Sequence, residues 1–354
     1  MIDEVLNRYR QPVIDIMRAL LSLPLDHGQL MREHMGFEDA RSDKARTVRS
    51  PASQDFVGNA VDAPGGKMLR PALCLLACEA VGGDVGRALP AAAAIELLHN
   101  FTLIHDDIED ASDTRHGRET LWQRHGVPLA INAGDGMFVR AQLTMLGLDH
   151  SGVPADRALE AARVLNDAAV LLCEGQHADI TFESRDRVSL TEYETMIAGK
   201  TAALLGASAQ IGAIAGGADD ATARALGEFA RMLGMAFQIQ DDVLGVWGES
   251  ARTGKPVADD IRSKKKSFPV VWAFDHARGE TASRLDHLYA AEMTEAAVEE
   301  VLSILNELGA RLAGSDAADL WREDALGMLD GLPLVPNRQH ELEALASFVV
   351  ERTS

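Results

Sequence analysis

A chain of 354 residues with 47% hydrophobic content has apolar material for a sizeable core, and a net charge of -20 excludes nucleic-acid binding unless a basic patch reverses the local field. The nearest approach to such a patch, "RSKKKS" at 262–267, sits beside acidic residues. Aromatic residues make up only 5%, and a composition rich in Ala and Leu favours helices over strands.

In chain order, apolar spacing predicts helices over 3–22, 68–82, 87–110, 127–147, 155–182, 191–216, 219–246, 266–278, 291–313 and 338–351. Nothing reads as a strand. Breaks fall at Gly82/Gly83, at Gly216/Gly217 and at the two "GVP" connectors that begin at Gly126 and Gly152. The polar interval 36–66 lacks periodicity and reads as a surface loop or lid, without a domain boundary, so one all-helical domain over 1–354 is expected. Cys74, Cys78 and Cys173 form neither a disulfide framework nor a metal quartet, which fits reduced thiols in a cytoplasmic protein. The start "MIDEVLNRYRQ" lacks a signal core, and no run reads as long enough to span a membrane, so no stable membrane insertion is expected.

Two helices deliver acids to the end of an apolar run. In "AAAAIELLHNFTLIHDDIED", His99, Leu103, Asp106 and Asp110 recur at spacings of 4, 3 and 4 and share one stripe. A lone "DDIED" also suits a solvated helix end, but the apolar approach argues for a buried helix capped by carboxylates. In "FARMLGMAFQIQDDVLGVWG", Phe229, Leu233, Phe237 and Asp241 are four apart, with Gln238, Asp242 and Gly245 on an adjoining face. Facing each other, the two would form an acidic mouth above an apolar shaft, able to hold Mg²⁺ and, through it, a diphosphate. The shaft would suit a hydrocarbon tail. Positive residues surround the clusters: Lys67 and Arg70 in "GGKMLRP", Arg115, Lys200, which with the neutral Thr201 opens the apolar helix "AGKTAALLGA", and Lys255 and Lys265. Each alone reads as an ordinary surface residue or helix start, and their joint arrangement carries the information.

These motifs together resemble the trans-isoprenyl diphosphate synthases, or polyprenyl synthetases. The likeness runs from about 65 to 275 through "GGKMLRP", "ELLHNFTLIHDD", "DDIED" with "DTRHG", "CEGQHADITFE", "GKT", "FQIQDDVLG" and "TGKPVADDIRSKKKSFP". It implies a helical bundle of the isoprenoid synthase type with a central apolar cavity, a homodimer, and head-to-tail condensation of an allylic diphosphate with isopentenyl diphosphate. By the same resemblance, Asp106, Asp110 and Asp241 would coordinate three Mg²⁺ ions, with Asp107 and Asp242 supporting them. Arg115, Lys200 and Lys255 would neutralise the allylic diphosphate, with Lys265, crowded by Lys264 and Lys266, as a further candidate. Lys67, Arg70 and His99 would bind isopentenyl diphosphate, and Thr201 and Gln238 would line the space of the allylic cation.

Two positions depart from the family pattern. His116 stands where a second arginine is common, and Gly245 where the second motif has its third aspartate. Product length is expected to depend on what blocks the shaft below Asp106. Leu98 and Thr102 lie nearly beneath it and Phe101 slightly to the side, and an uninserted motif with an aromatic at 101 resembles producers of geranylgeranyl diphosphate. Farnesyl or longer products, a class I terpene cyclase and a non-catalytic regulatory subunit are the alternatives. Lys67, Arg70 and His99 speak against a cyclase, and the retained aspartate pairs against a silent subunit.

Overall fold

The computed structural model describes residues 2–23, 26–37, 68–248 and 258–350. The interval expected to form a lid, and with it Lys67 and Lys255, therefore lies outside the described residues, apart from Gly36 and Phe37. In chain order come α1 (Ile2–Leu20), α2 (Asp26–His34), α3 (Leu69–Ala80), α4 (Val85–Glu109), α5 (Leu121–His125), α6 (Val127–Leu146), α7 (Ala155–Glu183), α8 (Leu190–Ile197) and α9 (Ala203–Gly216). They are followed by α10 (Asp220–Trp247), α11 (Asp259–Arg262), α12 (Phe268–His276), α13 (Gly279–Ala290), α14 (Glu295–Glu307), α15 (Ala310–Gly327) and α16 (Pro336–Val350). The expected all-α architecture is what the chain forms.

Local chemistry sets the ends of the two acid-bearing helices. The Asp84 side chain accepts from the Gly86 N–H at 2.9 Å to start α4, and Asp219 accepts from the Thr222 N–H at 2.8 Å to start α10. Helix α9 is apolar all round and lies in the middle, packed by α3, α4, α7 and α10. The run Leu190–Gly216 is in fact long and apolar enough to cross a membrane, contrary to the sequence expectation, but 83% of its most apolar window is buried inside the fold. It is a core helix. Small residues permit its close packing: a side chain at Gly212 would collide with the carbonyl of Cys74 on α3.

Three differences from the sequence reading have physical causes. Residues 114–119 form a two-strand antiparallel ribbon, Thr114–Arg115 against Arg118–Glu119, too short for any alternation to announce it. The helix expected at 291–313 is two helices, because Gly309 adopts φ 72° between α14 and α15. Helix 191–216 is interrupted by a wide π-turn over Ala198–Ala202, whose exit is marked by the Ala203 N–H bonding back to the Ala198 carbonyl. Cys74 and Cys78 are buried free thiols, and Cys173 is exposed and free.

Candidate active site

The C-terminal turn of α4 carries the first acids. Asp106 is half-buried, and burial pushes its carboxyl up to about 6; Lys200 pulls it down, while Asp110 and Glu109 push it further up. Asp107 is 2% exposed and is also raised by burial, offset by Arg115, whose Nε donates to its Oδ1 at 2.7 Å. The ribbon is what brings Arg115 there. Asp110 and Glu109 are exposed at the rim, where Gln176 of α7 donates from Nε2 to Glu109 at 2.7 Å. The other amide atom of Gln176, Oε1, is buried with no partner.

The second acidic pair, at the C-terminal half of α10, is wired differently. Asp242 is 2% exposed and accepts from the Tyr193 hydroxyl at 2.7 Å, the Phe268 N–H at 2.9 Å, Gln238 Nε2 at 3.0 Å and Lys265 Nζ at 3.3 Å. Those four donors come from α8, from the first residue of α12, from α10 itself and from the connector just before α12. Asp242 in turn holds Lys265 well above the ordinary lysine range, with Asp260, Asp179 and Asp241 adding to it, while burial opposes. Tyr193 is pushed far up by burial and then by Asp242, so it stays a donor. Asp241 is exposed, on the solvent side of the pair.

The three neighbouring lysines have different partners. Lys264 has φ 55° and turns away to cap carbonyls of Tyr289 at 2.8 Å and Ala291 at 2.6 Å. The Lys266 ammonium lies over the Tyr289 ring, 5.4 Å from its centroid. Lys265 alone of the three reaches Asp242.

The π-turn carries Lys200 and Thr201 to the space between the acids. Lys200 Nζ pairs closely with Asp179 of α7. Thr201 Oγ1 donates to Gln238 Oε1 at 2.7 Å, and that amide continues to Asp242. Lys200 acts on Asp106, and Asp179 and Asp241 both act on Lys265. The two acidic helices are thus joined through a shared set of charges. Asp179, Gln176 and Tyr193 were not singled out from the sequence. "CEGQHADITFE" marked the first two only as part of a motif, and a tyrosine on a short helix carries no signal at all.

Gly245 acquires a reason. A side chain there would meet the Asp260 carboxyl carbon at 2.6 Å, so the carboxylate of Asp260, on α11, fills the space beside α10. On α3 and α4, Arg70 Nη1 and His99 Nε2 are 3.1 Å apart. Burial drives His99 well below the usual range, and Arg70 and Arg115 drive it further, so it is neutral at pH 7. His116 is lowered by burial and by Arg115 and Arg118. Along α4, Leu98 is fully buried, Thr102 bonds the His99 carbonyl at 2.7 Å, and Phe101 turns toward α6, its ring centroid 4.7 Å from His105 and 5.2 Å from Phe138.

Among the described residues no three His, Cys, Asp or Glu side chains are gathered into a ready-made metal site. The donors fit a different use. Asp106 and Asp110 offer hard oxygens, and the cost of ionising half-buried Asp106 is relieved by an added cation; Mg²⁺ is commonly held this way, by one or two carboxylates plus substrate phosphates.

Comparison with known proteins agrees with the geometry. The family model described as polyprenyl synthetase matches residues 55–307. The chain is 39% identical over 303 residues to a (2E,6E)-farnesyl diphosphate synthase of Mycobacterium tuberculosis, covering 84% of this chain and 83% of that one. It is 40% identical over 289 residues to a geranylgeranyl diphosphate synthase of the same organism, covering 81% and 80%. The crystal structure of a polyprenyl synthetase from Streptomyces coelicolor A3(2) superposes with a TM-score of 0.85 at 35% identity, covering 99% of both chains. With carboxylates, cations and an all-helical scaffold in this arrangement, the chain belongs to the polyprenyl synthetase family and is a trans-prenyltransferase.

Proposed function

We propose that this prenyltransferase condenses an allylic diphosphate with isopentenyl diphosphate and releases geranylgeranyl diphosphate. The observation that carries the chemistry is Asp106, a carboxylate at the head of a buried helix, raised to about 6 by burial and within the influence of Lys200. Asp106, Asp110 and Asp241 would hold Mg²⁺, which when bound neutralises a diphosphate. Lys200 and Arg115, with Lys255 and Lys265, stabilise negative charge as the carbon–oxygen bond of the allylic substrate breaks. Thr201 and Gln238 present their polar atoms beside the resulting cation. Arg70, His99 and His116, with Lys67, orient isopentenyl diphosphate so that its double bond attacks, and the proton then lost passes to the released diphosphate. Apolar helices around the site exclude water that would quench the cation.

A twenty-carbon product is supported by Phe101, backed by Phe138 and His105, beside small Thr102. Related enzymes bear both farnesyl and geranylgeranyl names, so the assay must separate the two. With Mg²⁺ and labelled isopentenyl diphosphate, both dimethylallyl and farnesyl diphosphate should end as the twenty-carbon ester on chromatography. A fifteen-carbon end product with farnesyl diphosphate left unused would reassign the product, and no elongation of any primer would defeat the reading.

A homodimer is part of the same proposal. On α6, Val139, Leu143 and Leu146 are 53%, 58% and 55% exposed, and on α7 Val170 is 58% exposed. Apolar residues recurring at helical spacing on an outer face are what a second copy would cover. Leu143→Asp should halve the mass measured by sedimentation; a monomeric unaltered chain would refute the dimer.

A further inference from the structure

Helix α2 has no part in the site so far, yet its C-terminal end is fastened to it. Arg118 of the ribbon donates from Nη2 to the His34 carbonyl at 3.3 Å and from Nη1 to the Glu33 carbonyl at 3.5 Å. The Glu33 carboxylate is paired with Arg124 at 2.5 Å and with His125 of α5 at 3.1 Å. Gly36, at φ 72°, lets the Arg118 guanidinium lie flat against the chain, because a Cβ would come 2.6 Å from Nη1.

This clamp turns the His34 ring inward to Asn100 of α4. Asn100 spends its amide protons on the Glu96 carbonyl at 2.8 Å and Glu96 Oε1 at 3.0 Å, which leaves its oxygen to accept from one ring N–H of His34. Around His34 stand Arg115, His116 and Arg118 of the ribbon and, across from it, His99 of α4. Near His99, Arg70 has a buried Nε with no partner. Basic groups of α3, α4 and the ribbon converge on His34 of α2 against two carboxylates: Asp107 holds Arg115, and Glu96, which takes the Asn100 amide, also acts on Arg70, so the guanidinium groups of Arg70, Arg115 and Arg118 outnumber them. The missing complement is an anion.

We propose that His34 is a further substrate-binding residue, contacting the diphosphate of isopentenyl diphosphate with the ring nitrogen that faces away from Asn100. It thereby supplies, from α2, part of what an arginine at position 116 would give. The inference rests on the pocket assigned above to Arg70, His99 and His116. Burial, then Arg115 and Arg118, hold His34 down to about 3, so the ring is neutral in the free protein at pH 7. A diphosphate beside it offsets those two guanidinium charges and favours the imidazolium. The ring then takes one proton from solution and donates both N–H groups, one to Asn100 and one to the ligand.

Isothermal titration of the full-length, metal-free protein with isopentenyl diphosphate at pH 7, in two buffers of different ionisation enthalpy, tests this. The unaltered chain should take up protons on binding. His34→Gln keeps a donor for Asn100 but cannot ionise; it should bind isopentenyl diphosphate about tenfold more weakly, with smaller proton uptake. In turnover the same variant should raise KM for isopentenyl diphosphate and leave KM for the allylic substrate in place. Equal affinity and equal uptake in His34→Gln would overturn the role of His34. Zero uptake by the unaltered chain would overturn it even if the variant fails to fold. No binding by the unaltered chain would instead remove the pocket itself, a result the other outcomes do not resemble.

Discussion

The two aspartate pairs look alike in sequence and sit in opposite electrical situations. Asp242, on α10, is surrounded by four donors and has Lys265 as a counter-ion. Asp106, on α4, is raised by burial and by neighbouring acids, and among the described residues Lys200 and Arg115 relieve it. One acid is an internal anchor whose charge is already balanced. The other carries excess negative charge at a half-buried position, which is the condition under which an incoming cation gains most. Sequence repetition thus conceals a division of labour, in which one helix fixes the cationic wall and the other awaits its ligand.

The largest expected effect follows from removing the unbalanced acid. Asp106→Asn should lower kcat by about three orders of magnitude, since charge on the departing diphosphate is no longer matched. A loss under tenfold in a steady-state assay would show that the contrast with Asp242 has no functional meaning. Next comes Asp242→Asn, which sets an NH2 among hydrogen-bond donors and strands Lys265. It should destabilise the fold by about 2–3 kcal/mol in chemical denaturation, toward the low end of buried-pair losses because Lys265 reaches solvent. Unchanged stability would mean that Asp242 is not an anchor.

The same contrast has a pH signature. A carboxyl raised to about 6 by folding, from an unfolded value near 3.8, binds its proton more tightly in the native state, so its contribution to stability is lost as pH rises through that window. Without metal, Asp106→Asn should therefore be more stable than the unaltered chain at pH 7.5, by about 1–2 kcal/mol after solvent screening, with the difference gone below pH 4. Thermal melts at both pH values decide it. Added Mg²⁺ should raise the melting temperature of the unaltered chain and not of the variant. The smallest effect is Phe101→Ala, which should lengthen the product by about one five-carbon unit with little change in turnover; an identical chromatogram would leave Phe101 as core packing.

Much of this arrangement was legible in the sequence where apolar periodicity runs long. Helices α4 and α10 were placed within a residue or two, and their acids with them. Helix α13 was missed because its only buried apolar residues are Leu285 and Leu288, and α2 because nine residues bury little beyond Met31. The pairing of Lys200 with Asp179 and of Asp242 with Tyr193 joins residues 21 and 49 positions apart, a closeness that only the packed fold creates. Which of Lys264, Lys265 and Lys266 faces the site depends on a left-handed backbone at Lys264, a conformation that lysine does not advertise. At Gly245 the sequence shows only a departure from the family pattern, and its reason, the Asp260 carboxylate beside α10, exists only in the packed fold.

The π-turn between α8 and α9 carries one more implication. Gly175 and Gly199 let α7 and the turn approach until backbones touch: a Cβ at Gly175 would run into the Lys200 amide nitrogen, and one at Gly199 would come 2.5 Å from the Leu171 carbonyl oxygen. Lys200 is therefore mounted on a weld and not on a hinge. Any motion that opens or shuts this enzyme must be hung from other segments, and the lysine serves them as the stationary reference against which a substrate is aligned.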